Sequence, residues 1–180
     1  MTLICLKENR MEEVHMDNKI EQIASFKAAM GNYPTGVTVV TAFNQEGKPM
    51  GLTVNSFASV SLEPLLILWS IDKRVYSYEE FLKVDKFTVN ILASDQSDLC
   101  TLFSSKVEDR FSQCDWKKSE LNLPVLEDTL ATLQCKVFSQ IDAGDHTTII
   151  GEVLDIQNED KEPLLYHRRT IGAIPEEFYN

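Results

Sequence analysis

The stretch GVTVVTAFNQEGKPMGLTVNSFASVSLEPLLILWSI, residues 36–71, decides the fold. Gly36 to Phe43 is dense in Val and Thr, residue types that suit a pleated, half-buried surface. Asn44-Gln45-Glu46-Gly47 has the size and composition of a hairpin loop. Met50 to Ser61 reads as a second long strand, and Pro64 to Ile71 as a strongly apolar third. Strands joined by such short loops must be antiparallel, because a parallel pair needs a crossover of about a dozen residues.

Working outward, Asp17 or Asn18 caps a predicted helix whose apolar positions Ile20, Ile23, Phe26 and Met30 follow helical spacing up to Gly31. Tyr76 to Val84 reads as a short helix with Tyr78, Phe81 and Leu82 inward. Phe87 to Ala93 reads as a strand, and Ser94-Asp95 opens a helix through Leu99, Leu102 and Phe103. Lys106 to Leu123 is polar and reads as an irregular surface excursion. Ala131 to Ile141 and Thr147 to Ile156 form two long predicted strands around Ala143-Gly144-Asp145-His146, and Pro163 to His167 a last one. About seven strands, mostly hairpin-linked with helices inserted, predict a mainly β, closed antiparallel barrel rather than a doubly wound sheet. Neither GxGxxG nor GxxxxGK[ST] occurs, so a nucleotide would have to be bound by another route.

Composition narrows the function. The 180 residues fit one domain, expected over 17–180, with the charged opening 1–16 read as a mobile leader. A formal charge of −11, with basic clusters no larger than Lys73-Arg74, Lys117-Lys118 and Arg168-Arg169, argues against nucleic acid as a partner. No apolar run nears the about 20 residues of a membrane-spanning helix, so no membrane association is expected. Cys5, Cys100, Cys114 and Cys135 form no CxxC, and the three histidines His15, His146 and His167 have no metal spacing. Reduced thiols and a cytoplasmic location are the expectation, with no metal site.

Three motifs carry candidate chemistry. Thr53-Val54-Asn55-Ser56-Phe57-Ala58-Ser59-Val60-Ser61 places small hydroxyl and amide groups on both faces of one predicted strand. That pattern suits either a strand whose Ser and Thr bond neighbouring backbone or a wall receiving a flat, hydrogen-bonding ligand. Tyr33-Pro34-Thr35-Gly36-Val37 is a helix-to-strand connector that could also offer backbone N–H groups to a ligand. His146, at a hairpin tip, is either a solvated turn residue or a ligand contact. Cys100 falls beside Leu99 and Leu102 on an apolar helix face and reads as a core thiol.

The order YPTGVTVVT, GLTVNSFASVSLEPLLILWSI, FTVNILA and then GDHT entering IIGEV resembles the flavin reductase-like family of FMN-binding split barrels, from about Phe26 to Tyr166. It is most similar to the short-chain reductases that supply reduced flavin to two-component monooxygenases. The resemblance implies a six-stranded, Greek-key-like barrel and a homodimer with flavin near the subunit interface. It implies an NAD(P)H:flavin oxidoreductase, with FMN or FAD as flavin, NADH or NADPH as co-substrate, and a flavin-dependent monooxygenase as partner.

Hydride then passes directly between cofactors, and no catalytic side chain is required. The resemblance assigns Tyr33, Pro34, Thr35, Gly36, Val37, Val54, Asn55 and Ser56 to the isoalloxazine and ribityl chain. Val60 and Ser61 would continue that wall, and Asn90 and Ile91 would close it. Lys73 and Ser77 would sit near the flavin phosphate, with Arg74 able to serve instead of Lys73. Gly144, Asp145, His146 and Thr147 would meet the nicotinamide nucleotide. The alternatives from other classes are a non-catalytic FMN-binding electron carrier or sensor, and a barrel for another flat ligand such as haem, with His146 or His167 as axial ligand.

Overall fold

The computed structural model describes residues 18–179. The expected leader, with Cys5 and His15, and the candidate helix cap Asp17 lie outside them. The chain divides into two compact units. The smaller holds, among the described residues, 18–34 and His167–Thr170; the larger holds Thr35–Tyr166 and the chain from Ile171.

In the smaller unit, helix α1 (18–31) forms as its spacing predicts. Its end is closed by Asn32 and Tyr33 N–H groups bonding the carbonyls of Ala28, Ala29 and Met30. Arg168 then donates its N–H to Gly31 and its Nε to Asn32 Oδ1. The apolar stripe Ile20, Ile23, Phe26 and Met30 does not enter a core: these side chains are 46–68% exposed.

The larger unit is built on a seven-stranded antiparallel sheet. Its strands are β2 (Thr38–Phe43), β3 (Pro49–Val54), β4 (Ala58–Leu62), β5 (Leu65–Asp72), β6 (Lys86–Ile91), β9 (Ala131–Ala143) and β10 (His146–Asn158). The order across the sheet is β3-β2-β6-β9-β10-β5-β4. Short strands β1 (Thr35–Gly36), β11 (Leu165–His167) and β12 (Thr170–Gly172) pair separately, as do β7 (Trp116–Lys118) and β8 (Pro124–Leu126). Helices α2 (Tyr78–Phe81) and α3 (Ser97–Ser104) are inserted between strands.

The mainly β, antiparallel class is as expected, with three differences. Met50 to Ser61 is not one strand, because the chain turns a corner at Asn55–Phe57 and sends β3 and β4 to opposite edges of the sheet. Ser56 makes the corner: its hydroxyl accepts the Ser70 N–H at 2.9 Å and donates to the Ser70 carbonyl at 3.1 Å, imitating a ladder pair. No ladder joins β3 to β4 among the described residues, so backbone closure of the barrel is not observed. The excursion after α3 is also more ordered than its polarity suggested. It contributes the β7–β8 hairpin and the buried Phe111 and Leu123. There Arg110 donates to the carbonyls of Gly51 and Ser105, tying the end of α3 to β3.

Two apolar clusters hold these layers. In the first, Trp69 meets Phe81 of α2 and Phe87 of β6 edge to face, at 5.5 and 5.7 Å between ring centroids. Each such pair contributes about 0.5–1.5 kcal/mol beyond burial. Gly151 lets Phe87 lie on the backbone of β10, since a Cβ there would fall 2.5 Å from the ring. In the second cluster Phe103, Phe111 and Trp116 stack edge to face beneath Val37, Val39 and Leu164.

Candidate functional site

The connector Thr35–Val37 is fixed by backbone alone. Val37 N–H donates to Leu164, Leu164 N–H to Leu92, and Leu92 N–H to Val37, a closed triangle of 3.0–3.1 Å bonds. β1 pairs with β11 through Thr35↔Tyr166 and Gly36↔Leu165. The triangle therefore holds Thr35 and Gly36 beside the end of β6, next to Ile91. Two features mark this corner. The Thr35 hydroxyl is buried without a hydrogen-bond partner, and a Cβ added at Gly36 would meet no atom within 4 Å. An unpaired buried hydroxyl costs about 1–3 kcal/mol, so a ligand atom bonding it would be favoured. Tyr33 and Pro34 belong to the smaller unit, where Tyr33 is exposed.

Across the sheet Val54, Thr38 and Ile91 lie in one row, through the pairs Thr38↔Val54 and Thr38↔Ile91. Asn55 is exposed at the corner that follows. The other expected flavin contacts are differently placed. Asn90 is 0% exposed and fully used. Its amide donates to Val39 O and Thr41 Oγ1, and its carbonyl accepts Leu126 N–H. Ser56 is bound both ways to Ser70, whose own hydroxyl bonds Thr148 on β10 at 2.9 Å. Val60 and Ser61 sit on β4, where Ser61 pairs with Leu66, six residues along β5 from Asp72. At about 3.3 Å per residue they are roughly 20 Å from the β5 end that carries Lys73. Ser77 precedes α2 without capping it by its side chain.

The β9–β10 hairpin tip does come together with Lys73. Gly144 takes φ of 66°, which glycine adopts at no steric cost, and closes the turn. Lys73 donates its backbone N–H to Asp145 O at 3.0 Å and its ammonium to Gly144 O at 2.8 Å, and it pairs with Asp142. His146 faces Asp72 across the β10–β5 ladder. Arg74 binds back onto Asp72 through its backbone N–H and its guanidinium. Thr147 is buried and bonds the Tyr78 hydroxyl at 2.8 Å.

The charges explain the titration of this tip. The Arg74 hydrogen bond holds the Asp72 carboxyl well below the usual carboxylate range. The His146 hydrogen bond lowers Asp145, and Asp142 raises the Lys73 ammonium. An ionised Asp145 can only accept, so His146 Nδ1, 2.7 Å from its oxygen, carries a proton. That leaves Nε2 of a side chain 41% exposed as the open position of the ring. The described thiols are unreactive by comparison: burial raises Cys100 and Cys114 and pushes Cys135 up to about 12.

Tyr78, Asp142, Ser70 and Thr148 complete these networks and had not been singled out from sequence. Tyr78 read as a core residue. Asp142 lies only two residues before Gly144, a proximity that could have signalled it.

Residues 30–175 match the family described as the flavin reductase like domain. The chain is 40% identical over 158 residues to the reductase component of the flavin-dependent trigonelline monooxygenase of Acinetobacter baylyi, covering 88% of this chain and 50% of that one. It therefore spans about half the length of that relative. It is 42% identical over 152 residues to the FMN reductase (NADH) SmoA of Agrobacterium fabrum, covering 84% of this chain and 86% of that one. The fold is similar to the Streptomyces globisporus NADH:FAD oxidoreductase SgcE6, solved with NAD and FAD fragments, with a TM-score of 0.81 at 29% identity over 86% of this chain and 94% of that one. The chain belongs to the flavin reductase-like family.

Proposed function

We propose that this chain is an NAD(P)H:flavin oxidoreductase that binds FMN or FAD and supplies reduced flavin to a partner monooxygenase. The observation that carries this reading is the corner at Thr35–Gly36, with its orphaned buried hydroxyl and open glycine backbone. A flat ring system with heteroatoms at its edge fits such a place, since it needs clearance over the backbone and one or two hydrogen bonds. Flavin, when bound, supplies a hydride acceptor at N5 for reduced nicotinamide.

The protein's part is to position. The row Val54, Thr38 and Ile91 with Thr35–Val37 forms the flavin wall, and exposed Asn55 adds an amide. Gly144, Asp145, His146 and Thr147 form the nicotinamide edge, with His146 Nε2 turned out to meet the nucleotide. Ser56, Val60, Ser61, Ser77 and Asn90 support the sheet around that wall rather than touch the ring, each from the placement described above.

The sheet works as the family's split barrel, closed by side chains and ligand where β3 and β4 leave it open. A homodimer covers the apolar stripe of α1 and the exposed Phe138, Ile141, Leu154 and Ile156 of the sheet. The described cysteines are free thiols, in keeping with a cytoplasmic enzyme. Among the described residues no helix is long and apolar enough to cross a membrane.

The test is direct. Purified protein is titrated with FMN and FAD and followed by flavin absorbance and fluorescence, and oxidation of NADH and NADPH is measured with and without flavin. Binding with turnover supports the reading, and binding without turnover replaces it by an electron carrier. Absence of any flavin affinity overturns it. Light scattering that gives a monomer would remove the homodimer.

A further inference from the structure

We propose that Lys73 is a positioning residue, which holds the 142–146 hairpin so that His146 meets the nicotinamide nucleotide, and not a ligand of the flavin phosphate. The inference rests on the reading of His146 given above. The β5–β10 ladder ends at the pair Asp72↔His146, and Lys73 is the first residue beyond it. There it takes over from the ladder. Its N–H bonds Asp145 O, its ammonium bonds Gly144 O, and its charge pairs with Asp142, so one residue contacts three positions of the turn.

Gly144 sits at positive φ at the tip, where its carbonyl has no strand to pair with. The ammonium supplies the missing donor. The neighbouring Arg74 is used differently, folding back on Asp72 with its side chain 80% exposed against 34% for Lys73.

The route to His146 is short. Asp145 is held at its carbonyl by Lys73 and holds His146 Nδ1 with its carboxylate. Releasing the Lys73 side chain frees the Gly144 carbonyl and the Asp142 carboxylate at once. The turn then keeps one of its three ties, the Lys73 N–H bond to Asp145, and the Asp145 carboxylate fixes the imidazole less closely. Flavin contacts at Thr35–Val37 and Val54 share no hydrogen bond with Lys73.

The variants Lys73→Ala, Lys73→Arg, His146→Ala and Lys73→Ala/His146→Ala test this, each in the full-length protein. Three readouts apply: steady-state kinetics, binding of FMN and of phosphate-free riboflavin, and histidine side-chain 1H–15N spectra. Lys73→Ala is expected to raise KM for reduced nicotinamide about 3- to 10-fold with kcat within about twofold, the pattern of a lost binding contact. Lys73→Arg, which keeps a cation in reach of Asp142, should restore most of that loss. FMN and riboflavin affinities should be unchanged, and the double variant should be no worse than His146→Ala alone.

A loss of FMN affinity by about tenfold or more with riboflavin unaffected would overturn the proposal and make Lys73 a phosphate ligand. Additive effects in the double variant would overturn it too. If His146→Ala left KM unchanged while Lys73→Ala still shifted the His146 ring signals, positioning would stand and the nicotinamide reading would fall. Unshifted signals would overturn positioning itself.

Discussion

The two ends of the β-sheet use polar side chains in opposite ways. At Asn90 the polar atoms are buried and used: Asn90 spans Val39, Thr41 and Leu126, and the Thr41 hydroxyl donates to Pro124 O at 2.6 Å. At the hairpin tip the polar side chains reach solvent and are arranged as Lys73–Asp142, Arg74–Asp72 and Asp145–His146. Saturated buried groups rigidify a fold, whereas partly paired exposed ones keep capacity for a ligand. The difference teaches that a polar side chain in a strand signals a site only when some of its bonding capacity is left over. Thr35 and His146 keep such capacity, as do the unpaired hydroxyls of Thr88 and Thr132, whereas the side chains of Asn90 and Ser56 are used within the fold.

The largest expected effect breaks the comparison at its buried end. Asn90→Ala strands the Leu126 N–H and the Val39 carbonyl in a dry interior, and should cost about 2–4 kcal/mol of stability. Urea or thermal unfolding measures this. Flavin affinity of the fraction that remains folded should stay normal; if it fell first, Asn90 would belong to the flavin wall after all.

Gly36→Val comes next and should act on binding instead. Nothing lies within 4 Å of a Cβ at this position, and valine suits a strand, so the melting temperature should hold or rise slightly. The added methyl groups would occupy the space over the backbone, and flavin affinity should fall at least about tenfold, or about 1.4 kcal/mol. Unaltered affinity would move the ring away from Thr35–Gly36.

A smaller contrast sharpens the exposed end. His146→Ala should weaken turnover at limiting reduced nicotinamide by about 0.5–1.5 kcal/mol, the worth of one polar contact, and leave flavin affinity nearly unchanged. Ser56→Ala, which sequence alone would assign to flavin binding, should instead cost about 1 kcal/mol of stability, because its hydroxyl is the clasp on Ser70. Normal kinetics in His146→Ala would reduce the imidazole to a surface turn residue.

Much of this was legible in the sequence, for reasons that particular residues make plain. The Asn44–Gly47 loop and the Val-rich runs around it force antiparallel pairing, and that pairing is found. GDHT marks a tight turn because Gly144 can take positive φ, which it does. The corner at Asn55–Phe57 was misread because Thr53-Val54-Asn55-Ser56 continues a strand-like composition, and only a partner 14 residues away, Ser70, turns Ser56 into a clasp. The hydrogen bonding of Asn90 is hidden for the same reason, since its partners come from two distant segments, β2 and β8. The apolar stripe of α1 gave its helix but not what it packs against, because periodicity specifies a face and never its partner.

The smallest effect concerns pH, and it separates the two ends by charge. In the folded chain the Asp72 and Asp145 carboxyls are lowered by Arg74 and His146, so the unfolded chain binds those protons more tightly. Their stabilisation is therefore complete above the unfolded carboxylate value of about 3.9 and is lost as pH falls through the lower folded values. Lys73 is raised by Asp142, so its share is complete below the unfolded amine value of about 10.4 and is lost as pH rises through the folded value. Between about pH 5 and 9 none of the three should change the unfolding midpoint in urea. Below about pH 4 the midpoint should drop slightly more for the native chain than for Asp145→Asn, which has no carboxylate to protonate there. Because these pairs stand in solvent, about 0.5 M salt should erase most of that difference, the screening length then being only a few ångströms. A difference that survived salt would mean that the tip is enclosed, as it would be if a second subunit covered it.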